Sequence, residues 1–166
     1  RGLGDVYKRQ SLTIGSVGSD AGISAVGTID VRTLIGNLSV TRSVTTSDTG
    51  ASAITLVAGF STGFGTSTGG DIQSSGIGTG LQTGANGRVR LFSGSVAGSI
   101  WNSLIADGNY RYNSDVSMSK YTAALGSAGM YAIYREQPTI TITAADASKV
   151  YDGVAYSGGN GYSSSG

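Results

Sequence analysis

The sequence predicts an all-β protein: a right-handed parallel β-helix (a solenoid) followed by the start of a small β-sandwich-like module. Three observations carry the prediction. Short runs that alternate apolar and polar residues recur from Ser11 to about Val96, and such alternation turns one face to a core and the other to solvent. Their spacing is regular, the mark of stacked repeats. Between them lie segments rich in Gly, Asn, Asp, Ser and Thr, with 28 Gly against one Pro and no Cys in 166 residues.

Residues 1–10, RGLGDVYKRQ, match at all ten positions the in-frame translation of a transposon-end adapter used in sequencing libraries. They are set aside as a non-native scar. Three of the eleven Lys and Arg (Arg1, Lys8, Arg9) and one of the ten Asp and Glu (Asp5) lie there. Without them, eight basic groups face nine acidic ones, and the net charge changes sign from +1 to −1. The charge balance therefore gives no argument for nucleic acid or an anionic membrane as partner. Charged residues are 13% of the chain, about half the usual share of a globular domain. No cysteine means no disulfide framework and no thiolate metal site. No apolar run reaches the eighteen residues of a membrane-spanning segment.

The predicted strands follow in order: Leu12–Ile14, Gly27–Val31, Gly36–Val40, Ser52–Leu56, Gly70–Ser74 and Gly87–Leu91. Aligning Leu38, Ile54, Ile72 and Val89 gives steps of 16, 18 and 17 residues. Units this short cannot bury their own apolar face. Stacked, their inward Ile, Leu and Val form one column, each well-buried aliphatic being worth about 1.5–3 kcal/mol. Gly and Asn suit the sharp turns between strands. Thr28, Ser39, Thr41, Thr55 and Thr83 read as outer-face residues that bond neighbouring coils. The competing fold is an antiparallel sandwich, for which Asn86-Gly87 would be a hairpin turn; the irregular gaps favour the solenoid.

The expected organisation is a scar at 1–10, a β-helical shaft at 11–108, a capping or junction segment at 109–136 and a truncated module at 137–166. Residues 97–136 break the pattern. Ser99–Ile105 is expected as a helical turn or a bulky closing strand. Tyr110, Tyr112, Tyr121, Tyr131 and Tyr134 are expected to cover the last coil, since an open solenoid end exposes unpaired edges. The functional alternative is an aromatic ligand platform flanked by Arg111 and Arg135.

No residue is assigned to catalysis, a cofactor or a metal. Gly59–Gly63 fits a nucleophile-elbow pattern with Ser61 as nucleophile, but a chain without His lacks the usual base. Ser117 and Lys120 fit a Ser-x-x-Lys pair beside Asn113–Asp115, without the Lys-Thr-Gly element that should follow. The Gly-rich stretch 63–80 lacks the Lys of a phosphate loop. Arg88 and Arg90 share one strand face and read as a solvated pair. Asp20, Asp30, Asp48 and Asp71 are single, whereas a glycosidase needs paired carboxylates. Asp152 with Gly158, Gly159 and Asn160 lacks the calcium-binding nonapeptide. Asn37–Ser39 is a glycosylation sequon, expected to be unused.

The tail carries the most specific signal. Lys149–Gly153 (Lys-Val-Tyr-Asp-Gly) and Tyr156–Gly161 (Tyr-Ser-Gly-Gly-Asn-Gly) resemble the opening of the YDG or MBG module of very large bacterial surface exoproteins. Tyr110–Asp115 and Tyr131–Pro138 resemble the segment that links shaft to module in filamentous-haemagglutinin-like proteins. Ala51–Leu56 and Thr68–Ile72 resemble their shaft repeats. Gly161–Gly166 departs from the usual apolar residue followed by Tyr-Ser-Gly. The resemblance implies a fragment of a non-enzymatic adhesin, extracellular or on a Gram-negative cell surface. It also implies export through an outer-membrane partner, and contact with host-cell, glycan or other cell surfaces through parts not in this sequence. The alternatives are a carbohydrate-active β-helix enzyme, which needs charged residues clustered on adjacent coils, and a glycan-binding module built on the tyrosines.

Overall fold

A computed structural model describes residues 6–8, 10–75, 80–101, 104–155, 157 and 161–165. Among them there are strands and turns and no helix, so the protein is all-β. The strands are β1 (Val6–Lys8), β2 (Leu12–Ile14), β3 (Ser16–Val17), β4 (Asp20–Ala21), β5 (Ile23–Ala25), β6 (Ile29–Thr33), β7 (Leu38–Val40) and β8 (Val44–Thr46). There follow β9 (Ile54–Val57), β10 (Ile72–Ser74), β11 (Leu81–Gln82), β12 (Arg88–Ser93), β13 (Tyr110–Arg111), β14 (Gly129–Tyr134), β15 (Thr141–Ala144) and β16 (Tyr162–Ser165).

Three parallel sheets hold most of them, in the orders β1-β6-β9-β12-β14-β13, β2-β7-β10 and β5-β8-β11. From β2 to β12 the chain enters these sheets in a repeating cycle, interrupted only by the small antiparallel β3–β4 pair. Equivalent residues stand opposite one another. Ile29 pairs with Ile54, Ile54 with Val89 and Val89 with Met130, while Val31, Leu56, Leu91 and Ala132 form the adjacent row. Leu12, Leu38 and Ile72 align in the second sheet, and Ile23, Val44 and Leu81 in the third. Most of these side chains form one buried cluster, and the half-buried Leu12, Ile23 and Met130 pack against it. The alternation that marked the runs in sequence is seen as burial: inward residues of β6, β7, β8 and β10 are buried and their neighbours half-buried.

All six anticipated runs are strands, but their predicted alignment is corrected. Leu38 and Ile54 lie in different sheets; Leu38 faces Ile72 and Ile54 faces Val89. The step between stacked residues is 25 from Ile29 to Ile54 and 26 from Leu12 to Leu38, then 34 from Leu38 to Ile72 and 35 from Ile54 to Val89. The spacing near 17 was the step from one sheet to another. The missing sheet is β5-β8-β11, whose strands are two or three residues long with Ser, Thr or Gln beside a leading aliphatic, too short to show periodicity. Asn86 (φ 65°) does turn the chain, with Gly87 N–H donating to Gly84 O at 2.9 Å, but it joins β11 to β12 in separate parallel sheets, so it is no hairpin. Backbones approach closely at such turns: a Cβ on Gly70 (φ 130°) would lie 2.1 Å from Gly36 O.

Residues 109–136 continue the six-stranded sheet. β14 inserts between β12 and β13 although β13 comes first in the chain. Ile100 makes a strand-like bridge to Gln73, and Leu104 N–H closes a turn on Trp101 O at 2.9 Å. Val6–Lys8, inside the segment read as a scar, pair with β6; an edge strand offers backbone groups to any extended partner. β15 and β16 form an antiparallel pair that leaves Ile140, Ile142 and Tyr162 exposed. Among the described residues no helix is long and apolar enough to cross a membrane, which leaves strand-built spans unaddressed.

Candidate functional site

The outward face of the six-stranded sheet and the two loops that lie on it gather most of the polar chemistry. One loop, 58–70, connects β9 to β10; the other, 112–128, is a flap between β13 and β14. Val57, Phe92, Tyr131 and Ile133 project outward and are buried beneath Val116, Tyr121 and Leu125 of the flap. The Arg111 guanidinium lies 5.8 Å from the Tyr121 ring centroid and 5.6 Å from that of Tyr131. Gly126 ties the flap down, donating to the Tyr131 hydroxyl at 2.8 Å and accepting from Arg88 at 2.7 Å.

Arg135, directly after β14, pins the other loop. It is 1% exposed and donates to Ala58 O, and at 2.8 Å to both Thr68 O and Gly70 O. Cβ atoms on Gly59 and Gly94 would sit 2.9 and 2.8 Å from its Nη2, so the missing side chains make its channel. Burial pushes its pKa down, against the opposing pull of Asp71 and Asp115. Asp115 joins flap to loop: Oδ2 accepts from Phe64 N–H at 2.9 Å, and Oδ1 accepts from Ser117 N–H, Ser117 Oγ and Met118 N–H. Burial opposes its ionisation, yet those hydrogen bonds hold its carboxyl below the ordinary value. Between loop and flap opens a cleft of about 270 Å³, lined by Phe60, Phe92, Ser61, Thr62, Asp115, Ser117 and Arg135.

The five tyrosines divide between the two faces. Tyr134 points inward, stacked on Tyr112 at 5.4 Å and Tyr110 at 6.3 Å, with Trp101 edge-on and donating from Nε1 to its hydroxyl at 2.6 Å. Tyr110 stands opposite Ala132, so it covers the last inward row, whereas Tyr121 and Tyr131 serve the outer face. Neither arginine of the suggested ligand platform has its donors available. Arg135 commits Nη1 and Nη2 to carbonyls while its Nε is buried without a partner, and Arg111 donates to Gly108 O, Tyr110 O, Ala123 O and Ala124 O.

Burial, then the neighbouring Tyr110 and Tyr112, push the Tyr134 pKa up to about 12, against the contrary pull of the Trp101 hydrogen bond. The unfolded chain ionises near pH 10, so its tyrosine releases a proton that the folded one keeps. Stability is therefore whole below pH 10 and falls between pH 10 and 12, by an amount on the order of 2 kcal/mol. Unfolding in urea at pH 9 and pH 11.5 should show this loss, and Tyr134→Phe should remove that part of the slope.

The remaining sequence motifs fall apart in three dimensions. Ser61 and Ser117 line the same cleft, but Ser61 Oγ donates to Leu34 O at 2.6 Å and Ser117 Oγ to Asp115 at 2.7 Å. Lys120 lies over the Phe64 ring at 5.0 Å and is no partner for Ser117. Arg88 and Arg90 do share the outer face; Arg88 donates to Ala51 O at 2.8 Å and Arg90 to Thr55 Oγ1 at 3.0 Å. Burial first, and Arg88 next, lower the Arg90 pKa. Asp30 is held by Arg32 at 2.6 and 2.5 Å, and Asp71 accepts from Ser95 Oγ at 3.2 Å. Asp152 bonds Lys149 at 2.8 Å, and that contact lowers its pKa; Gly158, Gly159 and Asn160 lie outside the described residues. Among the described residues no three His, Cys, Asp or Glu gather as metal ligands. Asn37 Oδ1 accepts from Asp71 N–H at 2.9 Å, so its amide links neighbouring strands of one sheet. Thr41 Oγ1 does the same, donating to Ile14 O at 3.0 Å.

Sequence reasoning missed Arg135 as the hub and Asp115 as the tie. Gly59, Gly70 and Gly94 carried a signal for the first, since small residues near the ends of β9, β10 and β12 leave room for something to cross. Asp115 carried none. No protein-family profile, curated protein or solved structure matches this chain.

Proposed function

We propose that residues 11–108 form a right-handed parallel β-helical shaft closed by a capping segment at 109–136, and that the chain is a non-enzymatic spacer of a large secreted or surface-attached bacterial adhesin. The observation that carries this is the column Ile29, Ile54, Val89 and Met130, opposite one another on consecutive strands of one parallel sheet. Crossovers between parallel strands are right-handed in nearly all proteins. Strands stacked about 4.8 Å apart give length along the stack, the quantity a spacer supplies. Ser61, Arg88 and Arg111 are committed to backbone carbonyls, Ser117 to Asp115 and Asp30 to Arg32. The tail from Lys149 to Gly153 supports the adhesin reading by its resemblance to the surface-exoprotein module, of which β15 and β16 would be the first strands of a sandwich. Ligands would be met by other parts of the full protein.

A cysteine-free chain allows a direct test of stacking. Ser39 and Gln73 stand opposite each other, within the 4.4–6.8 Å Cα range of a disulfide. Ser39→Cys with Gln73→Cys is expected to close an intramolecular disulfide on mild oxidation. Ser39→Cys with Thr55→Cys, the pair that a 17-residue coil would bring together, is expected to stay reduced; the opposite outcome overturns the shaft. For the spacer role, a polysaccharide panel is expected to yield no product, and the surrounding reading frame to encode a secretion domain and more tandem modules. Turnover, or an enzymatic domain in frame, would overturn it.

A further inference from the structure

We propose that residues 115–128 of the flap form a lid that lifts as one unit from the outer face of the six-stranded sheet while the sheets stay folded. Lifted, it bares Val57, Phe92, Tyr131 and Ile133, four apolar side chains that are 7% exposed or less beneath it. The lid's own packing is thin. None of its residues is buried, and Val116, Tyr121 and Leu125 are half-buried where they meet those four. Among the described residues, no backbone N–H from Val116 to Ala128 donates to a backbone carbonyl. Ser117 and Met118 N–H go to Asp115 Oδ1, Lys120 N–H to Ser114 Oγ at 2.7 Å and Gly126 N–H to the Tyr131 hydroxyl at 2.8 Å. A segment with few buried contacts and no ladder opens at a lower free energy than the strands under it.

Side chains of the sheet latch the lid by its backbone. Arg111, on β13, donates to Ala123 O at 2.7 Å and Ala124 O at 3.0 Å, and Arg88, on β12, to Gly126 O at 2.7 Å. The Tyr131 hydroxyl takes the Gly126 N–H, and Asp115 Oδ2 holds Phe64 N–H of the neighbouring loop at 2.9 Å. All of these bonds involve a side chain, so they can break without disturbing the backbone ladders that join β12, β13 and β14. The start of the flap stays with the sheet: Asn113 N–H donates to Glu136 O and Ser114 N–H to Tyr134 O. The moving part therefore begins after Ser114. Its far end turns at Gly129, whose φ of 98° suits glycine. A Cβ there would meet nothing nearer than 3.8 Å, so the chain has room to pivot. The inference stands on the flap alone and holds whether or not the chain acts as a spacer.

Hydrogen exchange followed by NMR on the full chain tests it. The Lys120 and Gly126 amides are the reporters, since each is bonded from the lid to a residue that stays behind. Both are expected to share one opening equilibrium and to exchange roughly 100-fold faster than the amides of β9 and β12. Arg111→Ala is expected to speed both by roughly tenfold and to leave β9 and β12 unchanged. Tyr131→Phe removes the Gly126 acceptor and keeps that of Lys120, so it is read at Lys120, where the same acceleration is expected because the lid lifts whole. Reporters that exchange no faster than β9 and β12 would mean that the flap leaves only when the whole fold unfolds. Exchange at the rate of an unprotected amide would mean that it is never closed. Either result overturns the proposal. So does an Arg111→Ala change that loosens β9 and β12 as much as the lid, or either variant leaving Lys120 as it was.

Discussion

Arg135→Ala is expected to destabilise the fold by about 3–5 kcal/mol, since three carbonyls lose a charged donor and each buried polar group left unsatisfied costs about 1–3 kcal/mol. The loss is large because the guanidinium, 1% exposed, satisfies three carbonyls from both ends of one loop. Removing it leaves Ala58 O, Thr68 O and Gly70 O without that donor and empties the channel past Gly59 and Gly94. Arg135→Lys should recover only part of the loss, because an ammonium is a point charge and lacks the planar fork that spans separate acceptors. Gly94→Ala should mimic the loss from the other side, since its Cβ would meet Arg135 Nη2, Gly70 O and Ser67 O, all at 2.8 Å. Urea unfolding midpoints measure all three. An Arg135→Ala shift within the 0.5 kcal/mol of an ordinary surface change would mean that the loop holds itself.

Leu56→Ala is the second large effect, at about 2–5 kcal/mol. Leu56 is fully buried and stands between Val31 on one side and Leu91 on the other. Its removal opens a void inside the column, where parallel neighbours are held by their ladders and cannot close in. Ile142→Ala is the matched comparison: Ile142 is 68% exposed on β15, and its loss should fall within 0.5 kcal/mol. Equal effects at the two sites would show that the column is not packed.

Alternation made β2, β6, β7, β9 and β12 legible, because each places two aliphatics on one face within a few residues; β10, with Ile72 alone, was found from its place in the spacing. The β5-β8-β11 sheet was not legible, since Ile23, Val44 and Leu81 are single aliphatics followed by Ser, Thr or Gln. Missing that sheet halved the apparent repeat. Tyr131–Tyr134 read as a junction because it is aromatic and follows a break, yet those residues complete a central strand. Of the cleft, Ser61 and Ser117 were noticed for motifs that the fold does not use, Phe60 and Asp115 entered only as members of those motifs, and Phe92 went unmarked.

By itself the sequence determined that this chain is all-β, that the alternating aliphatics of its longer runs share one face, and that it lacks the histidine and cysteine on which much catalysis and metal binding depends. Those follow from composition and from a period of two, which are local. Only the tertiary structure decided which strands face one another, where Arg135 ends, and that a flap and a loop meet over the outer sheet to form a cleft. Each of these joins residues tens of positions apart, as Asp115 and Phe64 are, 51 residues from each other. Their pairing is set by three-dimensional packing, on which a local period has no hold.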